Sequence, residues 1–393
     1  MRIAYITTDP GVPVFGRKGC SIHVQEVLRA MARQRGEIDL FASNCSGADS
    51  ARKVPGVHLH PLATAPKGEL GFREQQCLAA NAGLCSALKN QGPFSLVYER
   101  YSLWSFAGME YAQATGTPGI LEVNAPLIEE QAEHRGLVDR ASAQKVAERA
   151  FRAASAIVVV SEEVAHYLKD FPEAQGKVQV VPNGVSPERF PPGLQASRPG
   201  GDGVFTVGFV GSMKPWHGIE KLIDAFVRFQ AACPKSRLLL VGDGTVRERL
   251  ESEVAARGLG SVVQFTGAVE PSEVPALLAS MDLAVAPYPQ LTNFYFSPLK
   301  VYEYMAAGLP VIASRVGQIE KIIAHEETGF LVPPGDAVAL AAGLERMQKD
   351  PGLRRRLGEA ARIKVLRDHT WDGTVERILQ LAGVAPAPVV AAE

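Results

Sequence analysis

Short apolar runs alternate with longer amphipathic stretches along most of the chain. Many of the short runs are rich in β-branched residues and continuously apolar, as in 156–160, which is typical of strands covered on both faces of a sheet. The predicted strands are 2–8, 38–43, 57–62, 95–99, 118–123, 156–160, 178–182, 205–210, 237–241, 262–266, 283–287, 310–314 and 329–332. The helical patterns between them include 22–34, 74–89, 140–154, 219–232, 245–257 and 272–280. This alternation predicts parallel sheets with helices on both faces.

The stretch from 186 to 204 interrupts the alternation. It is rich in Pro, Gly, Ser and Arg and has no apolar periodicity, which indicates a linker between two domains. A chain of 393 residues is long enough for two such domains. We therefore predict an α/β fold of two doubly wound, Rossmann-like domains facing one another across a cleft. Ligands are expected near the carboxyl ends of the strands.

The linker sets the predicted domain boundaries. The first domain is predicted at 1–185, the linker at 186–204 and the second domain at 205–368. A C-terminal helix at 369–384 is predicted to pack back on the first domain. The alanine- and proline-rich segment 385–393 is predicted to be a disordered tail.

The overall composition is that of an ordinary globular protein. Hydrophobic residues make up 46% and charged residues 21% of the chain. The net charge of -1 offers no bulk attraction to nucleic acid, so any anion site must be local. The chain shows no signal-peptide layout, no long apolar span and no C-x-x-C pair among its 5 cysteines. These features favour a cytoplasmic protein and leave attachment to the inner face of the membrane open.

Residues 297–308 place a lysine where helix electrostatics disfavours a cation. Ser297 is predicted to be the N-cap, Pro298 the first helical residue and Gly308 the stop. Lys300 then lies in the first turn, at the positive end of the helix dipole. A phosphate held by Lys300 and the free amides of 297–299 would explain this order. The alternative is a surface ion pair between Lys300 and Glu303.

Two glycine-containing loops follow strands of the second domain. The loop after 205–210 contains the candidate phosphate-site residues Gly211, Ser212, Lys214 and His217. Its alternative interpretation is a tight turn with a solvated lysine. Gly242 ends the next strand, where it either allows close approach of a ligand or simply forms a turn.

The first domain offers candidates of its own at strand ends. Gly19 lies in a basic, glycine-containing loop after the first strand, and His23 follows in the first turn of the next helix. The helix dipole favours a neutral His23, which could orient a substrate hydroxyl or simply be a surface or capping residue. Asn124 ends the strand 118–123. Arg100 ends the strand 95–99, where it could also form a structural pair with Glu99.

Taken in order along the chain, several segments resemble the family 4 glycosyltransferases, which are retaining enzymes of the GT-B fold. The matching segments are 181–185, 211–218, 241–244, 265–267, 302–312 and 328–332. The resemblance implies transfer of a sugar from a UDP- or GDP-sugar to a hydroxyl of a glycan, glycolipid or small-molecule acceptor, as in polysaccharide biosynthesis. The second domain would bind the nucleotide sugar and the first domain the acceptor. No cofactor is expected beyond the nucleotide-sugar co-substrate.

The chain departs from the family pattern at several positions. The family has two glutamates separated by seven residues; Glu303 matches the second, which typically binds the nucleotide ribose, whereas Tyr295 replaces the first. Two basic positions of the family fall on Ser212 and His217, so that Lys214 and Lys300 are the expected substitutes. The chain thus resembles a coherent subgroup of the family.

These comparisons imply a set of site residues. The catalytic candidates are Lys214, Lys300 and Glu303. The donor-binding candidates are Gly211, Ser212, His217, Gly242, Ser297, Pro298 and Leu299. The acceptor-side candidates are Gly19, His23, Arg100 and Asn124.

The expected mechanism uses the two lysines and the helix start to stabilise the departing diphosphate. No metal is expected, because these groups can replace a divalent cation and no acidic cluster is evident. Other interpretations remain open at this point: an epimerase or hydrolase of the same fold, a non-catalytic sugar-binding protein, or an inactive sugar-nucleotide sensor. A dinucleotide oxidoreductase is disfavoured because neither glycine loop carries the complete fingerprint.

Overall fold

The computed structural model describes residues 1–34, 36–46, 54–64 and 68–384. The chain forms two compact units. The first contains Met1–Pro182 and Trp371–Glu393, and the second contains Asn183–Thr370. The predicted tail at 385–393 lies outside the described residues. Among the helices of the described residues, none is long and apolar enough to cross a membrane.

A seven-stranded parallel sheet forms the centre of the first unit, in the order β3-β2-β1-β4-β5-β6-β7. Its strands are β1 (Arg2–Thr7), β2 (Glu37–Ala42), β3 (Val57–Pro61), β4 (Leu96–Arg100), β5 (Gly119–Val123), β6 (Ala156–Val159) and β7 (Val178–Val180). The α-helices are α1 (Gly19–Arg33), α2 (Leu70–Ala79), α3 (Asn81–Gln91), α4 (Ala107–Thr115), α5 (Leu127–His134), α6 (Arg140–Ala153) and α7 (Glu162–Tyr167). The central strands are apolar and buried, because helices cover both faces of the sheet.

The register of this sheet gathers polar side chains at one edge. Tyr5 of β1 lies opposite Tyr98 of β4, and Arg100 lies opposite Glu122 of β5. Since side chains alternate along a strand, Tyr98 and Arg100 share one face of the sheet while Glu99 points to the other. The carboxyl ends of β1, β4 and β5 therefore place these groups side by side.

The second unit contains a six-stranded parallel sheet in the order β10-β9-β8-β11-β12-β13. Its strands are β8 (Phe205–Val210), β9 (Ser236–Val241), β10 (Val263–Phe265), β11 (Leu283–Ala286), β12 (Val311–Ser314) and β13 (Phe330–Val332). Its α-helices are α8 (Ile219–Ala232), α9 (Arg247–Ala256), α10 (Val274–Leu278), α11 (Leu299–Ala306), α12 (Ile319–Ile322), α13 (Ala337–Lys349) and α14 (Pro351–Asp368). Two parallel-sheet units with flanking helices confirm the predicted α/β class.

One predicted helix, 74–89, is wrong as a single element. The structure has α2 and α3 instead, which meet at Asn81. The Asn81 side chain donates to the carbonyls of Leu78 and Trp104 and accepts from the amides of Phe106 and Ala107. An asparagine that bonds to backbone in this way competes with the regular helical ladder, and its partners lie too far along the chain for periodicity to reveal.

The segment 186–204, predicted as the linker, belongs to the second unit. Phe190 is 1% exposed and belongs to the same apolar core as Val185. Its carbonyl accepts a hydrogen bond of 2.8 Å from Arg362. The chain passes between the units at 182–183 and again at 370–371.

The C-terminal helix α15 (Trp371–Leu381) belongs to the first unit, the unit for which the sequence predicts its contact. It packs against α1, where Arg33 forms a 2.7 Å ion pair with Asp372. The Thr374 hydroxyl donates to the carbonyl of Pro182. This helix therefore carries Trp371 to the face of the sheet that holds Arg100 and Glu122.

Helix α11 ends where the sequence predicts. Gly308 has a φ of +73°, which favours glycine, and its amide donates to the Met305 carbonyl at 3.0 Å. The Leu309 amide donates to the Tyr304 carbonyl at 3.1 Å. Together these bonds form a Schellman motif that satisfies the last carbonyls of the helix.

Candidate functional site

Helix α11 begins one residue later than the sequence predicts, and Ser297 does not cap it. The N-cap is Pro298, and no side chain accepts from the first amides of the helix. The Ser297 hydroxyl is instead held by the Asn183 amide at 3.3 Å and the Tyr302 hydroxyl at 3.2 Å. The predicted cap is therefore wrong. The first amides of the helix keep their capacity to bind a ligand.

Lys300 is a buried cation without a counter-charge in hydrogen-bond contact. Its side-chain nitrogen is buried and has no hydrogen-bond partner among the described residues. It lies 4.2 Å from the centre of the Phe209 ring and 5.2 Å from that of Tyr288. Burial lowers the pKa of Lys300 to about 7, while the Glu303 carboxylate opposes that shift. A site of this kind favours an anionic ligand, because burying an unpaired charge is otherwise costly.

Two glycines bring the neighbouring loops close to Lys300. Gly211 follows β8 with a φ of +149°, and a Cβ added there would lie 2.9 Å from Nζ of Lys300. Gly242 follows β9 with a φ of +126°, and a Cβ there would lie 2.1 Å from the Gly211 carbonyl oxygen. A side chain at Gly211 would therefore occupy the space beside the lysine, and one at Gly242 would displace the Gly211 backbone.

Glu303 lies one turn after Lys300 and is already paired. Arg189 donates to its carboxylate at 2.8 Å, and the pair is largely buried. Arg189 also donates to the Pro271 carbonyl at 3.0 Å. The carboxylate is thus held in a fixed orientation by a residue from the predicted linker segment.

The loop after β8 contains a 3-10 helix at Pro215–His217. Lys214 precedes it, half-buried, with its nitrogen 6.0 Å from the Trp216 ring centre. His217 donates from Nδ1 to the Ser212 carbonyl. Burial, aided by the charges of Lys300 and Lys214, lowers the pKa of His217 to about 3. The ring is therefore neutral at physiological pH.

Three side chains of the first unit form a closed polar cluster, His23, Arg100 and Glu122. His23 donates from Nε2 to Glu122 at 3.0 Å, and Nδ1 of the same ring lies 3.3 Å from a nitrogen of Arg100. Arg100 also lies 3.5 Å from the other Glu122 oxygen. Burial acts to raise the pKa of Glu122, but His23 and Arg100 outweigh it and hold the value at about 2. The carboxylate therefore stays charged.

Both nitrogens of His23 are engaged in this cluster, and the Trp371 ring packs edge-on at 5.1 Å. The histidine thus holds Arg100 and Glu122 in place, rather than presenting a free nitrogen to a hydroxyl as the sequence suggests. Around it, the Tyr5 hydroxyl is buried without a hydrogen-bond partner among the described residues, while Tyr98 and Asn124 interact with the Glu122 carboxylate. An unpaired buried hydroxyl marks space suited to a polar ligand.

Gly19 is the first residue of α1 and is exposed. A Cβ added there would meet nothing within 4 Å. The N-cap of α1 is Lys18, which makes no side-chain cap, and the first turn has no acidic residue. Across the described ranges, no group of three or more His, Cys, Asp or Glu side chains is arranged to hold a metal ion.

Family comparison agrees with this geometry. Residues 197–364 match the family described as glycosyl transferases group 1, and residues 17–189 match glycosyltransferase family 4. The two matches, each over less than half of the chain, together support a family 4 glycosyltransferase. The D-inositol 3-phosphate glycosyltransferase of Acidothermus cellulolyticus is 28% identical, over 96% of this chain and 88% of its own length. That of Kribbella flavida is 28% identical, over 92% and 89%.

Solved structures support the same fold. Sucrose-phosphate synthase from Thermosynechococcus elongatus superposes with a TM-score of 0.73 at 24% identity, covering 97% of this chain and 98% of that one. HepE from Anabaena, in complex with UDP and glucose, gives 0.73 at 20% identity, covering 98% and 99%. These neighbours and the two parallel sheets confirm the predicted GT-B fold.

Aromatic residues form the segment before α11, where the sequence predicts that Tyr295 replaces a family glutamate. Tyr295 is half-buried and packs on Phe296 with ring centres 4.4 Å apart. Phe296 in turn contacts Phe294, which packs edge-on against Tyr288 at 4.9 Å. The segment before α11 therefore supports the wall of the Lys300 site through ring packing rather than through a carboxylate.

The structure brings Gly211, His217 and Lys300 of the predicted donor site together, with Glu303 one helical turn away. Sequence reasoning missed Arg189, Phe209 and Tyr288. In the sequence, Phe209 has the pattern of an ordinary core residue of β8. Tyr288 follows the carboxyl end of β11, where the rule for parallel sheets could have identified it.

Proposed function

We propose that this glycosyltransferase moves a sugar from a UDP-sugar to a hydroxyl of a polyol, glycan or glycolipid, with retention of anomeric configuration. The observation that carries the proposal is the buried, unpaired ammonium of Lys300 beside the uncapped start of α11. UDP is favoured over GDP because HepE binds UDP and UDP-glucose in a similar fold. No metal or further cofactor takes part in the proposed reaction.

The second unit binds the nucleotide sugar in this proposal. Lys300, Lys214 and the first amides of α11 contact the diphosphate, whose negative charge grows as the glycosidic bond breaks. The uncapped amides suit this role because the helix dipole also favours an anion at that point. The Glu303 carboxylate, oriented by Arg189, accepts hydrogen bonds from the ribose hydroxyls.

The bond changes balance without an enzyme nucleophile. The bond between C1 of the sugar and the diphosphate oxygen breaks, and the acceptor oxygen bonds to C1 on the same face. The proton of the acceptor hydroxyl passes to the departing diphosphate oxygen. The protein contributes electrostatic stabilisation and positioning to this step.

The acceptor is proposed to bind the first unit. Support comes from the unpaired buried hydroxyl of Tyr5 beside the Arg100 cluster, and from the open space at Gly19. Hydroxyl-rich acceptors suit such a group, because each hydroxyl can both donate and accept. The relatives named D-inositol 3-phosphate glycosyltransferases make a polyol or a polyol phosphate the first acceptor to test.

A binding panel followed by product analysis tests the proposal. We expect UDP and one UDP-sugar to raise the Tm equally with and without magnesium, and GDP and ADP to have little effect. Incubation with the UDP-sugar and a polyol should release UDP, and NMR of the product should show an unchanged anomeric configuration. Failure of every nucleotide to bind, or inversion at C1, would contradict the proposal.

A further inference from the structure

His217 occupies a position that carries a cationic side chain in the family pattern, yet its ring is held in the tautomer in which Nδ1 donates and Nε2 is left to accept a hydrogen bond. Its Nδ1 contacts the Ser212 carbonyl. A carbonyl oxygen only accepts hydrogen bonds, so Nδ1 must carry the proton. In the neutral ring, Nε2 then carries a lone pair and can accept a hydrogen bond. In the described part of the chain, the hydrogen bond of this ring is the one at Nδ1.

The surroundings of the ring keep it neutral. Burial acts first, and the charges of Lys300 and Lys214 add to it, whereas the Ser212 carbonyl opposes them, leaving a pKa of about 3. At pH 7, about one ring in ten thousand is therefore protonated. The titratable groups acting on the ring are thus both cations, which disfavour a second positive charge beside them.

His217 and Lys300 share the same two aromatic neighbours. The Tyr288 ring packs edge-on against His217 at 5.7 Å, and the Phe209 ring lies at 6.2 Å. The same rings contact the ammonium of Lys300 at 5.2 Å and 4.2 Å. A ligand whose anionic group reaches Lys300 therefore has its neighbouring atoms within range of His217.

The chemistry of Nε2 decides which part of a nucleotide sugar it can contact. Ionised diphosphate oxygens only accept hydrogen bonds, so they and the Nε2 lone pair repel each other. The groups of a nucleotide sugar that donate near the diphosphate are the hydroxyls of the ribose and of the transferred sugar. The ribose hydroxyls are already assigned to Glu303 in the proposed function.

We propose, resting on the proposed function, that Nε2 of His217 accepts a hydrogen bond from a hydroxyl of the transferred sugar and thereby determines donor specificity. A site built to pair with a hydroxyl rejects analogues that lack it, because the acceptor in the site then loses its partner. In this proposal, His217 contacts the transferred sugar, while Lys300 contacts the diphosphate.

Three proteins test the assignment: wild type, His217→Phe, and His217→Gln as the variant that keeps a side-chain acceptor. The Kd values of UDP and of the UDP-sugar that supports turnover are measured by calorimetry. We expect His217→Phe to leave the Kd of UDP within about twofold and to raise the Kd of the UDP-sugar by about tenfold or more. His217→Gln should recover most of that loss, and KM for the donor should follow the same order.

Deoxy analogues of the UDP-sugar identify the hydroxyl. The analogue that wild type and His217→Phe bind equally well lacks the group that His217 contacts. Equal weakening of UDP and UDP-sugar in His217→Phe would overturn the proposal, since the contact would then lie on the nucleotide. An unchanged Kd for both ligands, or no recovery with His217→Gln, would overturn it as well.

A pH series distinguishes an acceptor from a protonated histidine that binds phosphate. The ratio of Kd values between wild type and His217→Phe cancels the titration of Lys300 and Lys214, which both proteins share. We expect this ratio to be constant for UDP from pH 5.5 to 8. A ratio that favours wild type increasingly at low pH would contradict the acceptor role. If wild type binds no UDP-sugar at all, the proposed function itself fails instead.

Discussion

Each unit contains a buried polar region, and the two regions differ in the kind of group that remains unpaired: a charged group in one and a neutral group in the other. In the second unit, the charge of Lys300 faces two aromatic rings and has no hydrogen-bond acceptor among the described residues. In the first unit, Glu122 lies 3.5 Å from Arg100 and accepts from His23, so the charges are compensated, and the group that remains unpaired is the neutral hydroxyl of Tyr5. The first arrangement is incomplete without an anion, and the second without a neutral polar ligand.

In the proposed function, this difference matches the two units to different substrates. The proposed role of the preformed cation is to attract a diphosphate and stabilise the charge that develops on it. A compensated cluster adds rigidity without a strong preference for charge, which suits the proposed binding of a neutral hydroxyl. The stability and the pH dependence of the two regions should therefore respond oppositely to removal of their charges.

The largest effect on stability is expected for Glu122→Gln. This change keeps an acceptor for His23 but leaves the Arg100 charge buried without a counter-charge. We expect the free energy of unfolding at pH 7 to fall by about 3 kcal/mol, measured by urea denaturation. The exposed pair of Arg140 and Glu129 provides the control, since Glu129→Gln should change it by less than about 1 kcal/mol.

The pH dependence of the stability of Glu122→Gln provides a second test of the charge effect. The folded pKa of Glu122 is about 2, below its ordinary value of 4.5, so its contribution is present above pH 4.5 and is lost as the pH falls toward 2. The difference in stability between wild type and Glu122→Gln should therefore narrow as the pH falls from 4.5 and be largely gone near pH 2. A constant difference down to that pH would show that lost packing, not charge, accounts for the effect.

Lys300→Met should have the largest effect on activity. We expect kcat/KM for the donor to fall by about 100-fold or more, because the group that stabilises the departing diphosphate is gone. In contrast to Glu122→Gln, the Tm of the ligand-free protein should stay the same or rise, since an unpaired buried charge is removed. Lys349→Met is the matched control, as that side chain is 70% exposed. A change in kcat/KM below threefold would remove Lys300 from the mechanism.

Sequence reasoning identified the parts of this site that local rules govern. Lys300 was recognised because a cation in the first turn of a helix conflicts with the dipole, and that conflict needs no tertiary information. Likewise the thirteen predicted strands all occur, within two residues at each end, because apolar runs bounded by turn residues are a local signal.

The remaining features depend on residues far apart in the chain. Ser297 satisfies the local rule for an N-cap, but Asn183, 114 residues away, binds its hydroxyl and its carbonyl instead. The partner of Glu303 is Arg189, also 114 residues away, in a segment whose composition resembles a linker. Which polar group pairs with which is decided by the packing of the sheet and its loops, and no periodicity encodes it.

The pKa of Lys300 predicts that donor binding, which the proposed function assigns to the second unit, depends on pH. Its pKa of about 7 in the free protein means that the ammonium is lost as the pH rises above 7. We expect the Kd of UDP to increase by up to about tenfold between pH 7.5 and 8.5, and this dependence to be absent in Lys300→Met. The stability of the ligand-free protein should depend on pH in the opposite sense. Because the folded pKa lies below the unfolded value of 10.5, wild type should gain stability relative to Lys300→Met from pH 7 upward.

The smallest effect is expected where a neutral orphaned group is removed. Tyr5→Phe deletes a buried hydroxyl that has no partner among the described residues, so the stability of the acceptor-free protein should change by less than about 0.5 kcal/mol or increase. If that hydroxyl contacts the acceptor, KM for the acceptor should rise by about fivefold while KM for the donor stays constant. Tyr101→Phe is a suitable control, because its hydroxyl is also buried and unpaired but comes from the loop after β4, packed beside Phe151. Equal effects of both variants on the acceptor KM would show that the change reflects general loosening of the first unit rather than a contact made by Tyr5.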